Sequence, residues 1–213
     1  VEACRWLADE HNVILTEWKP VEKPRKEFPP DVEYLGRLVQ HPVLNAEARE
    51  FLFRERRIHP AVVQWMGISS ISVATPCWRY GKPYYDAPSL LFPYRDRNGR
   101  LMNVQSRYLG QKEGVPRFRF PSHSECRIYG LPVVERLQTG EELWLSEGVT
   151  DCLALLSSGR KAIAIPGATL LKPEDVKLLA TLRTEKKTVF HIFPDKDEAG
   201  ERLYRQLLQA ANE

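Results

Sequence analysis

The stretch "TVFHIFPDKDEAGERLYRQL", residues 188–207, decides the fold, because it runs from an apolar strand through two aspartates into a helix. Asp195 and Asp197 stand one residue apart where that strand ends. Carboxylates this close repel each other, and each raises the pKa of the other unless a positive charge lies between them. The pair is therefore either a solvated helix start, with Asp197 as the cap, or the ligand pair of a cation.

The same alternation of strand and helix extends back to residue 141. The strands "ELWLSEG" and "KAIAIPGA" are followed by the helices "VTDCLALLSSG" and "KPEDVKLLATLR". A β-α-β-α-β-α order predicts parallel strands joined by right-handed crossovers, and ligands of such sheets bind beyond the carboxyl ends of the strands.

Four acids fall at or near such strand ends. Glu147 follows the first strand, Asp195 and Asp197 follow the third, and Asp151 lies four residues after Glu147 on the next helix. Hard divalent cations prefer carboxylate oxygens, so this edge of the sheet is a candidate Mg²⁺ or Mn²⁺ site. Taken one at a time, each acid could equally be an ordinary loop acid or helix cap.

The residues before this unit have a different character. Short apolar runs are separated by turn signals, and "DRNG" at 96–99 predicts a β-hairpin. From residue 95 to residue 127 there are eight Arg or Lys against three acids, which favours a phosphate-binding surface. In "RFRF" at 117–120 strict alternation predicts both arginines on one strand face and both phenylalanines in the core.

The pattern divides the chain into four parts. Residues 1–15 are predicted as a helix, residues 16–30 as a proline-rich linker, residues 31–138 as a basic α+β unit and residues 139–213 as the α/β unit. No apolar run approaches the roughly 20 residues that span a bilayer. The four cysteines are far apart, which is typical of reduced thiols in a cytoplasm.

Three short motifs resemble a known domain. "SEGVTDCLAL", "IPGA" and "FPDKDEAG" are similar to the Toprim domain of primases, topoisomerases and some nucleases. Upstream, "LLFPYRDRNGRLMNVQSRYLG" resembles the basic subdomain that precedes Toprim in DnaG-type bacterial, phage and mobile-element primases. "VEACRWLADEHNVIL" resembles the last helix of the zinc-binding domain of such primases. The fold class that this resemblance implies is α/β, with a basic α+β subdomain followed by a Toprim domain with a parallel βαβαβα core.

The resemblance also implies a function. It is the metal-dependent, template-directed synthesis of short RNA primers for DNA replication by a nucleotidyltransferase. Glu147 would be a catalytic acid or metal ligand, Asp195 and Asp197 metal ligands, and Asp151 a further acid of the first motif. The basic positions that would bind nucleic acid or nucleotide are Arg95, Arg107, Arg117 and Arg119.

The cofactors and partners follow from the same resemblance. The cation would be Mg²⁺ or Mn²⁺, with zinc only in an upstream domain. The partners would be a single-stranded DNA template, ribonucleoside triphosphates and a replicative helicase, in the cytoplasm and without a membrane.

Two positions depart from the family pattern, and they keep alternatives open. Phe120 stands where the family has an asparagine, and Ser124 stands where it has a lysine. A second acidic pair is expected on a further strand beyond residue 213. The alternatives are another Toprim nuclease or topoisomerase-like enzyme, and a non-catalytic nucleic-acid-binding relic of a primase. We expect the 213-residue chain to fold but to make no primers alone.

Overall fold

The structure, a computed structural model, describes residues 29–79, 84–121, 124, 127–165 and 171–212. The helix predicted for residues 1–15 and nearly all of the linker predicted for residues 16–30 lie outside these ranges. Within them no helix has the length and apolar character needed to cross a membrane.

The upstream part combines short helices with antiparallel strands. Its helices are α1 (Val32–Val39), α2 (Ala46–Arg49), a π-helix (Glu50–Glu55), α3 (Pro60–Met66) and α4 (Leu131–Val134). Its strands are β1 (Ser69–Ile71), β2 (Thr75–Pro76), β3 (Tyr84–Tyr85), β4 (Ser89–Arg95), β5 (Leu101–Tyr108) and β6 (Phe118–Arg119).

The downstream part alternates strand and helix as the sequence predicts. Its elements are β7 (Glu142–Ser146), α5 (Val149–Ser157), β8 (Ala162–Ala164), α6 (Pro173–Thr184), β9 (Val189–Phe193) and α7 (Glu198–Asn212). Both β8 and β9 pair with β7 in parallel, in the order β8-β7-β9. The predicted α/β fold class is confirmed.

Local sequence signals account for most helix ends. The side chain of Asn45 accepts a hydrogen bond from the amide of Ala48 at 2.9 Å and begins α2. Pro60 occupies the first turn of α3, where its missing N–H has no intrahelical partner to lose. Gly159 follows α5 with φ of 83°, which an L side chain would disfavour. The π-helix was not predicted, because its i+5 hydrogen bonds leave no mark on the apolar pattern.

The upstream sheet, ordered β1-β4-β5-β6, has β4 buried on both faces. Leu90, Phe92 and Tyr94 face a core that also contains Phe51, whereas Leu91 faces a second core shared with α1. Double burial explains why β4 reads as a continuous apolar run rather than an alternating one. The predicted hairpin joins β4 to β5.

The side chain of Asp96 stabilises the hairpin turn. Asp96 accepts hydrogen bonds from the amides of Asn98 and Arg100, both at 2.9 Å. Gly99 adopts φ of 83°, the left-handed conformation that glycine favours in such turns. The sequence "DRNG" therefore acts as predicted.

The parallel sheet is covered on both faces. The α5 side chains of Cys152 and Leu153 pack in the same core as β4 and α3, so the upstream unit lies against α5. On the opposite face, α6 and α7 cover the sheet through Leu179 and Leu203. Since α5 and α7 lie on opposite faces, the crevice between the carboxyl ends of β7 and β9 is a topological switch point of the sheet.

The two units are joined by backbone pairing as well as by side chains. Tyr129 and Ala164 exchange two backbone hydrogen bonds of 2.8 and 3.0 Å, which adds residue 129 to the edge of β8. The next residues, Leu131 to Leu137, supply side chains to the core beneath α6. The amide of His59 also donates to Ser157 Oγ at 2.9 Å, which ties the start of α3 to α5.

A buried ion pair fixes the start of α6. Asp175 is fully buried, and Arg127 donates to its carboxylate from Nε at 3.1 Å and from Nη2 at 2.7 Å. The same carboxylate accepts from the amide of Lys172 at 3.4 Å in a capping box.

We expect Asp175→Asn to lower the free energy of unfolding by about 3 kcal/mol, because the change removes the buried negative charge to which the Arg127 guanidinium donates its hydrogen bonds. The exposed neighbour Glu174 provides the control, and Glu174→Gln should change stability by less than about 0.5 kcal/mol. Urea unfolding of the two variants measures the difference. Equal midpoints would show that the ion pair contributes little.

Candidate functional site

The acidic crevice, formed by Glu147, Asp151, Asp195 and Asp197, lies at the carboxyl ends of β7 and β9. Ser146 pairs directly with Phe193 in the parallel ladder, so the residues that follow them leave the sheet side by side. The amide of Asp195 donates a hydrogen bond to Glu147 Oε2 at 3.3 Å. The structure thus brings Glu147 against the first aspartate of the pair, as predicted.

Asp197 caps the N-terminus of α7. Its Oδ1 accepts from the amide of Gly200 at 2.8 Å, and its carbonyl accepts from Glu201 at 3.0 Å, which begins α7. This is the plain helix-start reading of the sequence. It leaves Asp197 Oδ2 free of the capping bond, so a cap and a cation ligand are compatible at this residue.

Two glycines allow the acids to sit where they do. A Cβ at residue 200 would overlap the carbonyl oxygen of Asp195 and lie 2.9 Å from its C and N atoms. A Cβ at residue 148 would overlap Asp151 Oδ2 and lie 3.4 Å from its Cγ. The first obstacle is backbone, whereas the second is the end of a side chain that can rotate.

The carboxylates of the crevice repel one another. Burial raises the pKa of Glu147, and the charges of Asp195 and Asp197 raise it further against the lowering effect of the Asp195 amide. Burial of the carboxyl also raises the pKa of Asp151, with Arg56 opposing and Asp195 adding to the shift. Clustered acids with raised pKa values are typical of a functional site.

The chemistry of these side chains fits a hard cation, because all four offer carboxylate oxygens and their repulsion would be relieved by positive charge. Among the described residues, however, no three His, Cys, Asp or Glu side chains converge closely enough to form a metal cluster. Glu147 faces the Asp195 amide and Asp197 faces the Gly200 amide instead. The donors are therefore gathered but not arranged around one point.

Beside the acids lies a cavity of about 430 Å³. Asp151, Phe193 and Asp195 line it together with the outer side of α5. Half of the Phe193 side chain is exposed, and its ring stacks on Trp144 with centroids 5.1 Å apart. The crevice thus opens onto a partly aromatic surface.

The four predicted arginines do not form one cluster. Arg107 and Arg117 line a cavity of about 750 Å³ beside α2 and the π-helix, named here the arginine cavity. Arg119 pairs with Asp86 at 3.4 Å, and Arg95 donates to the carbonyl of Gly99 at 3.0 Å in the hairpin turn. Only the first two therefore share a site.

The predicted arrangement of "RFRF" is wrong in part. The strand covers only Phe118 and Arg119, so alternation does not extend to Arg117. Phe118 is 40% exposed on the side of Arg107, whereas Phe120 packs against Tyr94 with centroids 5.1 Å apart. The two phenylalanines differ because β6 ends after two residues.

Arg107 is an unusual side chain, since only 7% of it is exposed and its Nε has no hydrogen-bond partner among the described residues. Burial lowers its pKa to about 10, and the charges of Arg117 and Arg56 contribute in the same direction. A buried cation that two further arginines repel favours an anionic ligand.

Arg56 is a functional candidate that the sequence reasoning missed. Its charge acts on Asp151 in the acidic crevice and on Arg107 in the arginine cavity, so it stands within electrostatic range of both. The signal that could have found it is the run "RERR" at residues 54–57, directly before the Pro60 helix. Arg57 in the same run has φ of 53°, an uncommon value for a residue other than glycine.

Comparison with known proteins gives a family match and a curated relative. Residues 144–213 match the Toprim-like family. A DNA primase from Synechocystis sp. is 27% identical over 169 residues, which are 75% of this chain and 25% of that protein. The chain thus spans about a quarter of the length of the curated relative it matches.

Solved primase structures share the fold. The structure of the DnaG catalytic core superposes with a TM-score of 0.62 at 21% identity, over 84% of this chain and 66% of that one. A DNA primase domain from Pseudomonas aeruginosa gives a TM-score of 0.60 at 20% identity, over 84% and 65%. The Aquifex aeolicus primase, with its zinc-binding and RNA polymerase domains, gives 0.58 at 18%, over 99% and 58%.

The sequence matches and the solved structures agree on the kind of protein that this chain is similar to. The chain carries a Toprim-like domain in its last third and has the fold of a primase catalytic core. In sequence and in structure it is similar to DnaG-type primases, which confirms the resemblance drawn from its motifs.

The two glycines of the acidic crevice give a matched pair of variants. Gly200→Ala should destabilise the protein by roughly 1–2 kcal/mol, because overlap with the Asp195 backbone outweighs the gain of about 1 kcal/mol in helix propensity. Gly148→Ala meets only the Asp151 side chain and should cost less than about 1 kcal/mol. Urea unfolding of both variants checks this. The assigned path of residues 195–200 would be wrong if Gly200→Ala were the more stable.

Proposed function

We propose that this chain is the nucleotide-joining core of a DNA primase, which synthesises short RNA primers on a DNA template with the help of a divalent cation. The single observation that carries the proposal is the acidic crevice at the switch point between β7 and β9, where Glu147 meets the amide of Asp195. Joining nucleotides is an in-line phosphoryl transfer, which needs a cation near the reacting phosphate and fixed positive charge on the others.

The residues that would hold Mg²⁺ or Mn²⁺ are Glu147, Asp195 and Asp197. When bound, the cation would neutralise charge that develops on the transferring phosphate. To bind the cation, the Glu147 side chain would turn away from the Asp195 amide, whereas Asp197 would keep its capping bond through Oδ1. Asp151, whose carboxyl lies over Gly148, would be a further acid of the site.

The arginine cavity is the better candidate for nucleotide phosphates. Arg107, Arg117 and Lys112 line it, and the buried Arg107 guanidinium gains most from an anionic partner. Arg95 and Arg119, which have partners of their own, would contribute to template binding only through their longer-range charge.

DNA as the template is supported by relatives of the same fold. The RNA polymerase domain of Mycobacterium tuberculosis primase, solved in complex with double-stranded DNA, has a TM-score of 0.59 at 19% identity over 79% of this chain and 62% of that one. A DnaG catalytic domain bound to single-stranded DNA gives 0.50 at 17% over 84% and 79%. The substrates proposed for this chain are accordingly single-stranded DNA and ribonucleoside triphosphates.

The wider setting is part of the proposal. A replicative helicase would deliver the template, zinc would belong to an upstream domain, and the reaction would take place in the cytoplasm. These features come from the resemblance to DnaG-type primases rather than from any described residue.

A second candidate is a non-catalytic nucleic-acid-binding relic of a primase. The observation in its favour is that both residues that depart from the family pattern make contacts within the fold. Phe120 lies edge-on against Tyr94, and Ser124 Oγ accepts from Asn103 at 2.9 Å. Phe120 does not supply the amide of the family's asparagine, and Ser124 does not supply the charge of the family's lysine. The two candidates differ in whether the remaining residues suffice for catalysis.

Primer synthesis on a single-stranded template separates these candidates when the protein that contains this chain is assayed. We expect synthesis that requires Mg²⁺ or Mn²⁺, and we expect Asp195→Asn with Asp197→Asn to reduce it at least 100-fold, since the cation loses two charged ligands. Calorimetry with Mn²⁺ should show binding that the same double variant abolishes. Glu174→Gln, an exposed acid on α6, is the control and should leave both unchanged.

Two outcomes would contradict parts of the proposal. Unchanged Mn²⁺ binding in the double variant would remove the cation from the acidic crevice. Metal binding without any primer synthesis by the full protein would favour the non-catalytic candidate.

Arg117 and Arg119, two residues apart, provide a matched test of nucleotide binding. Arg117 lines the arginine cavity, whereas Arg119 pairs with Asp86. If Arg117 contacts a nucleotide phosphate, Arg117→Ala should weaken the binding of a ribonucleoside triphosphate roughly tenfold, because a charge-assisted hydrogen bond is lost. Arg119→Ala should change this affinity by less than about twofold. Calorimetry with ATP measures both, and equal affinities of the two variants would contradict the assignment.

A further inference from the structure

An aromatic ring, that of Phe51, lines the arginine cavity beside Arg107. The Arg107 guanidinium carbon lies 3.8 Å from the centre of the Phe51 ring and 5.6 Å from that of Phe118. The guanidinium carbon of Arg56 lies 5.5 Å from the same Phe51 ring. Phe51 therefore contacts the guanidinium groups of two arginines that come from separate parts of the chain.

Cation–π attraction is strongest where water is excluded. Phe51 is 5% exposed and Arg107 is 7% exposed, so their contact is largely desolvated. The Arg107 Nε makes no hydrogen bond among the described residues. The ring is thus a principal contact of this guanidinium and fixes its orientation.

The π-helix explains how Phe51 reaches Arg56 as well as Arg107. The amide of Arg56 donates to the carbonyl of Phe51 at 2.9 Å, a bond between residues five apart. In an α-helix, residues five apart point about 140° away from each other, because each residue turns by roughly 100°. The wider π turn instead places residue 56 above residue 51, and such turns are frequent at functional sites.

The cavity carries both signs of charge. Arg117 and Arg56 repel the Arg107 charge, and Glu55, which also lines the cavity, attracts it. Of the other two acids in the lining, Glu47 and Glu50, the second pairs with Arg54 at 3.4 Å. Several guanidinium groups held side by side offer an anion with several negative charges more than any one of them could offer alone.

We propose that Phe51 is a positioning residue, whose ring, set by the π-helix, holds the guanidinium groups of Arg107 and Arg56 in place for the phosphates of a nucleotide. This inference rests on the proposed function, since it takes the ligand of the arginine cavity to be a nucleoside triphosphate. Phe51 itself makes no bond to the ligand and acts through the two arginines.

Inorganic tripolyphosphate is a suitable probe, because it carries the charge of the nucleotide without the base. Calorimetry should show that Phe51→Leu weakens its binding roughly three- to thirtyfold, which corresponds to the loss of a desolvated cation–π contact. Phe51→Tyr keeps the ring and should bind within about twofold of the wild type. Thermal unfolding of each variant verifies folding, and Phe51→Met replaces Phe51→Leu if the latter unfolds.

A double-mutant cycle tests whether Phe51 acts through Arg107. Combining Phe51→Leu with Arg107→Gln should weaken binding by clearly less than the product of the two single effects, because the second change removes what the ring positions. A merely structural role of Phe51 would give multiplicative effects. Fully multiplicative effects, or wild-type binding by Phe51→Leu, would overturn the proposal.

A second readout separates this inference from the proposed function. In NMR spectra the Nε–H signal of Arg107 should carry an aromatic ring-current shift that is kept in Phe51→Tyr and lost in Phe51→Leu. If the wild type does not bind tripolyphosphate, the nucleotide site of the proposed function fails, whereas the ring-current shift still reports on the contact between ring and guanidinium. A signal unchanged in Phe51→Leu would overturn the positioning role.

Discussion

The parallel register between β7 and β9 is the constraint on which the acidic crevice depends. Because Ser146 lies opposite Phe193, the chain leaves both strands at the same level, and Glu147 meets the amide of Asp195. Gly200 then lets α7 begin against the Asp195 backbone. A shift of one residue in this register would move Glu147 to the other face of the sheet and separate the acids.

The register is protected by the way in which the two units share a core. The upstream helix α3 and strand β4 pack on α5, and Tyr129 extends the sheet beyond β8. The basic unit is therefore part of the packing of one face of the parallel sheet rather than a separate body on a linker. This shared core keeps the arginine cavity at a fixed distance from the acids, which loosely tethered domains could not do.

Much of this could be predicted from the sequence where the information is local. The sequence predicts a shared sheet edge for Glu147, Asp195 and Asp197, because neighbouring residues indicate where strands end and helices begin. The separation of Arg117 from Arg119 could not be predicted, since it depends on Asp86, more than 30 residues away, and on the early end of β6. The π-helix could not be predicted for a similar reason, because a backbone hydrogen bond, and not a periodic pattern of apolar residues, brings Phe51 and Arg56 together.

Carboxylates repel one another in the acidic crevice, and guanidinium groups repel one another in the arginine cavity. Burial raises the pKa of Glu147 in one and lowers the pKa of Arg107 in the other, and like charges add to both shifts, so each site gains free energy from a ligand of opposite sign. If the acids and the arginines paired directly with each other, both repulsions would be relieved and a ligand would gain no free energy from relieving them. The charge of Arg56 acts on Asp151 in one site and on Arg107 in the other, so the two sites share one electrostatic neighbour. A nucleoside triphosphate with its divalent cation carries both signs of charge on one molecule, and that is the kind of ligand for which two such sites, held close but apart by a shared core, are complementary.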